Sequence, residues 1–180
     1  MRSHIQAMSH KAAVAAATMA GGLLLVCATA GAAGFPGTYH WLPEHFSGPC
    51  ITAHGGAHKG AKLDQYRCIG AGNQKWYVEL GPYHEAYTIH PSQSMGLCVD
   101  IPRGNYRKGA QPILWSCNGR DNQLLHISQC ASRTRHCSIR PYAGGHRNRC
   151  LSVKGGRQAN NTPLILWSCN NARDQRFTFR

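Results

Sequence analysis

Ile113-Leu114-Trp115-Ser116-Cys117-Asn118 returns intact as Ile165-Leu166-Trp167-Ser168-Cys169-Asn170, 52 positions on, and this duplication decides how the chain of 180 residues is organised. Cys98 and Cys150 are separated by the same 52 positions. A weaker third copy lies upstream. Cys50 precedes Cys98 by 48, Tyr39 precedes Tyr87 by 48, and Gln74 of Gln74-Lys75-Trp76 precedes Gln123 of Gln123-Leu124-Leu125 by 49. Gln175-Arg176-Phe177 closes the series another 52 on. Self-similarity at a fixed period marks an architecture assembled from one supersecondary unit. Three repeats are predicted, at about 39–85, 86–136 and 137–180.

Inside the second repeat, short runs rich in β-formers alternate with turn residues, which predicts strands at 86–90, 97–101, 111–116 and 124–128. No stretch of the repeats combines helical periodicity with adequate length, and Gly and Pro recur too often for long helices. Three copies of a four-strand unit suit a closed threefold barrel capped by hairpins, which removes sheet edges and buries one shared core. Trp76, Leu125 and Phe177 recur at one position of the repeat and are expected to line that core.

The chain begins with Arg2 and Lys11 ahead of an uncharged Ala-, Gly- and Leu-rich stretch, and Ala28-Thr29-Ala30 offers the small residues at which a secretory leader is cut. Residues 1–33 are accordingly expected to be a signal peptide, the protein secreted and extracellular, and 34–180 one domain with no membrane span; a retained anchor is the competing reading. Of the nine cysteines, Cys27 falls in the leader, and the even remainder favours disulfides. Metal is not expected. There is no Cys-x-x-Cys pair, His84-Glu85 is followed by Thr88 where a zinc-protease motif needs a second His, and His54 and His58 read as surface histidines.

Cys98-Val99-Asp100, then Leu114-Trp115-Ser116-Cys117, then Asn122-Gln123-Leu124-Leu125 resembles the ricin-B type lectin family, and the likeness extends over essentially the whole chain after the leader. The resemblance implies an all-β fold, the β-trefoil, and a sugar site once per repeat. A hexose presents an apolar C–H face to an aromatic ring and a polar rim to a carboxylate and an amide. The second repeat keeps the full set: Asp100 as the acid, Trp115 as the platform, Asn122 as the amide, with Gln123 more a support of the turn than a sugar contact. It departs in carrying Ile113 where ricin-like sites have a polar Gln. Elsewhere Thr52 and Ser152 replace the acid. Weaker candidates are Asp64, Tyr66 and Asn73 in the first repeat, and Trp167 and Asp174 in the third. Alternation along Ile113-Leu114-Trp115 does not tell which face is buried, but the repeat register favours exposure of Trp115; Asp100 has the alternative role of anchoring a loop.

Equivalent positions pair Cys50 with Cys68, Cys98 with Cys117 and Cys150 with Cys169, each bridge contributing about 3 kcal/mol by closing a short loop in the unfolded chain. Cys130 and Cys137 remain as a fourth pair. An enzyme is not expected, because the acids of the repeats fall at no matched positions that suggest an acid and base, and no nucleophile motif is present. No cofactor is implied. The partner expected is a glycan, with galactose- or xylose-type residues as candidate sugars, bound by a monomer. The net charge of +13 and the cluster Arg133, Arg135, Arg140, Arg147 and Arg149 raise a further reading, an anionic cell-surface polymer. A degenerate trefoil acting as a protein-binding or toxin-delivery subunit is the remaining alternative.

Overall fold

The computed structural model describes residues 36–44, 48–128, 136–143, 145–146 and 148–180. The expected leader, the Cys130 half of the fourth disulfide, and Arg133, Arg135 and Arg147 of the basic cluster lie outside them. Twelve strands follow one another with no α-helix among the described residues, only five single 3-10 turns. They are β1 (Gly37–Pro43), β2 (Pro49–Ala53), β3 (Leu63–Arg67), β4 (Lys75–Leu80), β5 (Ala86–Pro91), β6 (Leu97–Asp100), β7 (Ile113–Ser116), β8 (Leu125–Ser128), β9 (Ser138–Pro141), β10 (Arg149–Val153), β11 (Thr162–Ser168) and β12 (Phe177–Phe179). The four strands read from the second repeat recur within one or two residues as β5 to β8.

The first and fourth strand of each repeat build a six-stranded antiparallel sheet in the order β12-β1-β4-β5-β8-β9. Reciprocal bonds between Cys137 and Phe177, at 2.6 and 2.8 Å, join its two ends into a barrel. Closure removes the unpaired edge that an open sheet of this size would present. The second and third strands of each repeat form hairpins that cap one mouth: β2 with β3, β6 with β7, β10 with β11. Each hairpin is hydrogen-bonded to the next in a ring. Gly60 N–H donates to the Leu114 carbonyl, Gly109 N–H to Leu166, and Asn161 N–H to Gln65, at 2.7, 2.8 and 2.8 Å.

The core lies inside barrel and cap. Trp76, Leu125 and Phe177 are fully buried, as their repeated position requires, and each contributes roughly 1.5–3 kcal/mol by leaving water. Trp41 joins them, with its ring edge-on to Trp76 at 5.7 Å and to Phe177 at 5.6 Å. The Trp76 indole N–H is satisfied by the Ile51 carbonyl at 2.8 Å, so burying it leaves no donor unpaired. The three disulfides predicted within repeats are present, with Cα–Cα distances of 5.1, 5.1 and 5.0 Å. Each ties the start of a cap strand to the loop after its hairpin partner. That loop leads into the 3-10 turn that carries the site's amide.

Candidate functional site

The same buried glutamine organises each repeat beneath the surface. Gln123 accepts from Asn118 N–H at 2.8 Å and donates to the Ser116 carbonyl at 2.9 Å and to Asp100 Oδ2 at 2.8 Å. Gln74 repeats the pattern with Ile69 N–H, the Arg67 carbonyl and Thr52 Oγ1 at 2.9, 2.9 and 3.1 Å. Gln175 bonds Asn170 N–H and the Ser168 carbonyl at 2.9 and 2.8 Å. All three are buried, and their amides are occupied by protein. Gln123, expected from the sequence to support the turn more than to contact sugar, latches the turn after the hairpin and holds Asp100 Oδ2.

In the second repeat this latch sets the wall of an open cleft of about 1100 Å³, lined by Asp100, Ile113, Trp115 and Asn122 together with Pro102–Tyr106, Asn118, Arg120 and Asp121. β6 and β7 pair with Asp100 opposite Ile113 and Cys98 opposite Trp115, so acid and ring stand two residues apart across one hairpin. Trp115 is 40% exposed, which settles in favour of the surface what alternation had left open. The Asn122 amide donates to the Ile101 carbonyl at 3.1 Å. Burial pushes the Asp100 carboxyl above its ordinary value of 3.8, and hydrogen bonds from Gln123 and Asn122 partly oppose that. Its chemistry is that of a fixed, desolvated acceptor beside an exposed aromatic face, suited to hydroxyls presented by a ligand lying on the ring.

The other repeats are arranged differently. Asp64 occupies not the position of Asp100 but that of Ile113, opposite Thr52 on the paired strand. It is buried, takes a 2.6 Å bond from His54 Nδ1, and has Oδ1 without a hydrogen-bond partner. Burial raises its pKa despite the histidine. His54 is exposed as expected, but it is not idle. Tyr66 is half-buried, and Asn73 bonds the Ala53 carbonyl at 2.8 Å, as Asn122 does its counterpart. In the third repeat Trp167 is 43% exposed, and the Ser152 hydroxyl donates to Asp174 Oδ2, so the carboxylate sits on the turn rather than on the strand.

Several contacts at the cleft and around the two tryptophans escaped the sequence. Tyr106 lines the cleft and stacks on His146 of the third repeat at 4.2 Å. Lys59, from the first repeat, places Nζ 4.2 Å over the Trp115 ring, and Lys108, from the second, lies 5.4 Å over Trp167. Each platform is thus braced by the repeat before it, through a cation–π contact worth about 0.5–1 kcal/mol at an exposed site. Aligning the three loops before the third strand would have matched Lys59 with Lys108; it would not have shown what they touch. Of the basic cluster, Arg140 donates to His126 Nδ1 at 3.3 Å and Arg149 to Asn148 Oδ1 at 3.0 Å.

His90 Nδ1 lies 3.6 and 3.5 Å from the sulfurs of Cys98 and Cys117, but those sulfurs are joined to each other and offer no thiolate to a metal.

Comparison with known proteins places this geometry. The sequence profile described as "Ricin-type beta-trefoil lectin domain" matches residues 41–129 and 85–180. Nigrin b of Sambucus nigra is 36% identical over 61 residues, which are 34% of this chain and 10% of Nigrin b, so the matched stretch spans only a small part of that protein. The designed threefold-symmetric protein ThreeFoil superposes with a TM-score of 0.70 at 21% identity, covering 79% of this chain and 96% of its own. A ricin B-like lectin of Macrolepiota procera, solved with lactose, superposes with a TM-score of 0.61 at 22% identity, covering 80% of this chain and 94% of its own.

Proposed function

The chain belongs to the family of ricin-type β-trefoil lectin domains, and from that premise we propose that it is a secreted glycan-binding module whose principal sugar site is the cleft of the second repeat. The observation that carries this reading is the convergence of Asp100, Trp115 and Asn122 on one cleft. Asp100 accepts hydrogen bonds from adjacent sugar hydroxyls, Asn122 adds an amide, and the Trp115 ring takes the apolar C–H face. Ile113 on the same floor removes one polar contact and makes that part of the site apolar.

A single open cleft leaves much of a monosaccharide in water, so affinity is on the order of millimolar for one sugar residue. Binding, rather than catalysis, is the activity. Asp100 is engaged by Gln123, and the cleft's other acid, Asp121, is exposed on its turn.

The experiment is a glycan array followed by titration of the selected glycan against the parent, Asp100→Asn and Trp115→Ala, with circular dichroism confirming the fold. Loss in both variants supports the reading. If both bind as the parent does while Tyr66 or Trp167 variants fail, the principal site belongs to another repeat. If the parent binds no glycan, the protein-binding alternative replaces this one.

A further inference from the structure

The threefold repeat supplies its own control for the walls of the second-repeat cleft. Three residues beyond the position of Asp100, the backbone turns left-handed in every repeat: Gly55 has φ 69°, Arg103 has φ 54° and Gly155 has φ 64°. Glycine adopts that conformation without cost, and a long side chain does not. Only the second repeat holds a side chain there. Two residues before the site amide, at the entrance to the 3-10 turn, the repeats carry Ala71, Arg120 and Ala172. Again the second repeat alone has an arginine. Both residues line the cleft that holds Asp100 and Trp115.

Neither guanidinium makes an ion pair or a side-chain hydrogen bond among the described residues, although Asp121 lines the same cleft. Two cationic forks therefore stand at the rim, one on strained backbone, with no side-chain partner among the described residues. A side chain retained on strained backbone at a cleft, where the sister positions are glycine, points to a ligand rather than to the fold. The guanidinium matches planar, multidentate oxyanions better than it matches single hydroxyls.

We propose that the second-repeat cleft selects acidic glycans, with Arg103 and Arg120 binding a carboxylate or sulfate carried by the sugar stacked on Trp115 or by its neighbour. This rests on the sugar-site reading above and adds the class of glycan to it. Asp100 and the arginines divide the ligand: the carboxylate takes neutral hydroxyls at the inner end of the cleft, and the arginines take the acid group toward the rim. Lys59 over Trp115 does not distinguish the repeats, because Lys108 stands over Trp167 in the same way.

The test is calorimetric titration of the folded protein with lactose, 3′-sulfolactose and digalacturonate, at low and moderate salt. The variants are Arg103→Gly and Arg120→Ala, which install the residues of the sister repeats and so preserve the fold; Arg173→Gln, on the exposed turn of the third repeat, is the charge control. We expect at least one acidic ligand to bind tenfold or more tightly than lactose. The one that does identifies carboxylate or sulfate as the group read. Each site variant should cut that preference at least threefold, the double variant should abolish it, and Arg173→Gln should leave it in place. Arg103→Gly should also unfold at equal or higher denaturant than the parent, which a structural role for the arginine would not produce. Lactose binding as tightly as both acidic ligands, or an equal loss in Arg173→Gln, overturns the proposal. Trp115→Ala separates the two claims. If it abolishes binding while no acidic preference exists, the sugar site stands and the selectivity falls; if it changes nothing, both fall; and if the parent binds none of the three, the selectivity falls while the glycan array decides the sugar site.

Discussion

The second and third repeats expose nearly equal amounts of tryptophan, brace it with a lysine from the preceding repeat, and bury the same glutamine beneath the turn. They differ in where the carboxylate stands. In the second it is on the strand, held by Gln123; in the third it has moved to the turn, where Ser152 holds it and Gln175 is left with backbone partners only. The contrast separates two kinds of residue that look alike in the motif. The glutamine latch recurs in every repeat and bears on a ligand only where it also holds the acid, as Gln123 holds Asp100, whereas the acid, the amide and the rim residues vary from one repeat to the next around an unchanged frame.

The strongest test of that separation is to remove both latches. Gln123→Ala deletes three hydrogen bonds at a buried position and leaves Asp100 unaimed; unfolding in urea should show a loss of about 3 kcal/mol, and titration should show no measurable glycan binding. Gln175→Ala removes two bonds of the same kind, with a loss of about 2 kcal/mol, and glycan affinity should be unchanged. Equal loss of binding in the two variants would break the comparison.

Next in size are the site residues themselves. Asp100→Asn should cost about 1.5–3 kcal/mol of binding by deleting charge-assisted hydrogen bonds, a ten- to hundredfold loss, with Trp115→Ala comparable. Trp167→Ala and Ser152→Ala should change affinity by less than about twofold, since the third repeat lacks the acid on the strand. A third repeat as sensitive as the second would show that the turn-borne Asp174 does the same work.

The comparison can also be inverted. Ser152→Asp alone would set a second carboxylate against Asp174, and like charges at that distance disfavour ionisation of both. Ser152→Asp with Asp174→Asn reproduces the arrangement of the second repeat. The double variant should bind a surface-displayed glycan about tenfold more tightly than the parent through a second site, and Ser152→Asp alone should not; biolayer interferometry on a dense glycan surface would read the difference.

The smallest effect is that of pH. Because burial raises Asp100 above its ordinary 3.8, the native state holds that proton more readily than the unfolded chain does. The contribution of Asp100 to stability therefore grows as pH falls through the raised pKa, and Asp64, raised by the same cause, acts in the same direction. Binding needs the carboxylate and should weaken several-fold over that window, above the range where an exposed Asp titrates. Titrations at falling pH, with near-ultraviolet circular dichroism as the check on folding, should show affinity lost while the fold persists. Affinity that held down to the ordinary Asp range would mean that Asp100 is not the acceptor.

Much of this was legible in order of residues. The offsets of 52 and 48 positions located three repeats, the spacing of Cys50, Cys98 and Cys150 against Cys68, Cys117 and Cys169 fixed three bridges, and the repeated large apolar position identified Trp76, Leu125 and Phe177 as core. These features are periodic, and a periodic constraint is visible in one dimension because every copy of it must satisfy the same local geometry. The family resemblance grouped Asp100, Trp115 and Asn122, and they do line one cleft, since a hairpin and the turn that follows it are set by short-range pairing. Tertiary structure alone decided the rest. Tyr106 meets His146 and Lys59 meets Trp115 through loops whose course depends on what they pack against. No spacing rule links residues 40 or 56 positions apart across two repeats. Which side chains wall a cleft is settled only when the barrel closes and each hairpin comes to rest against its neighbour.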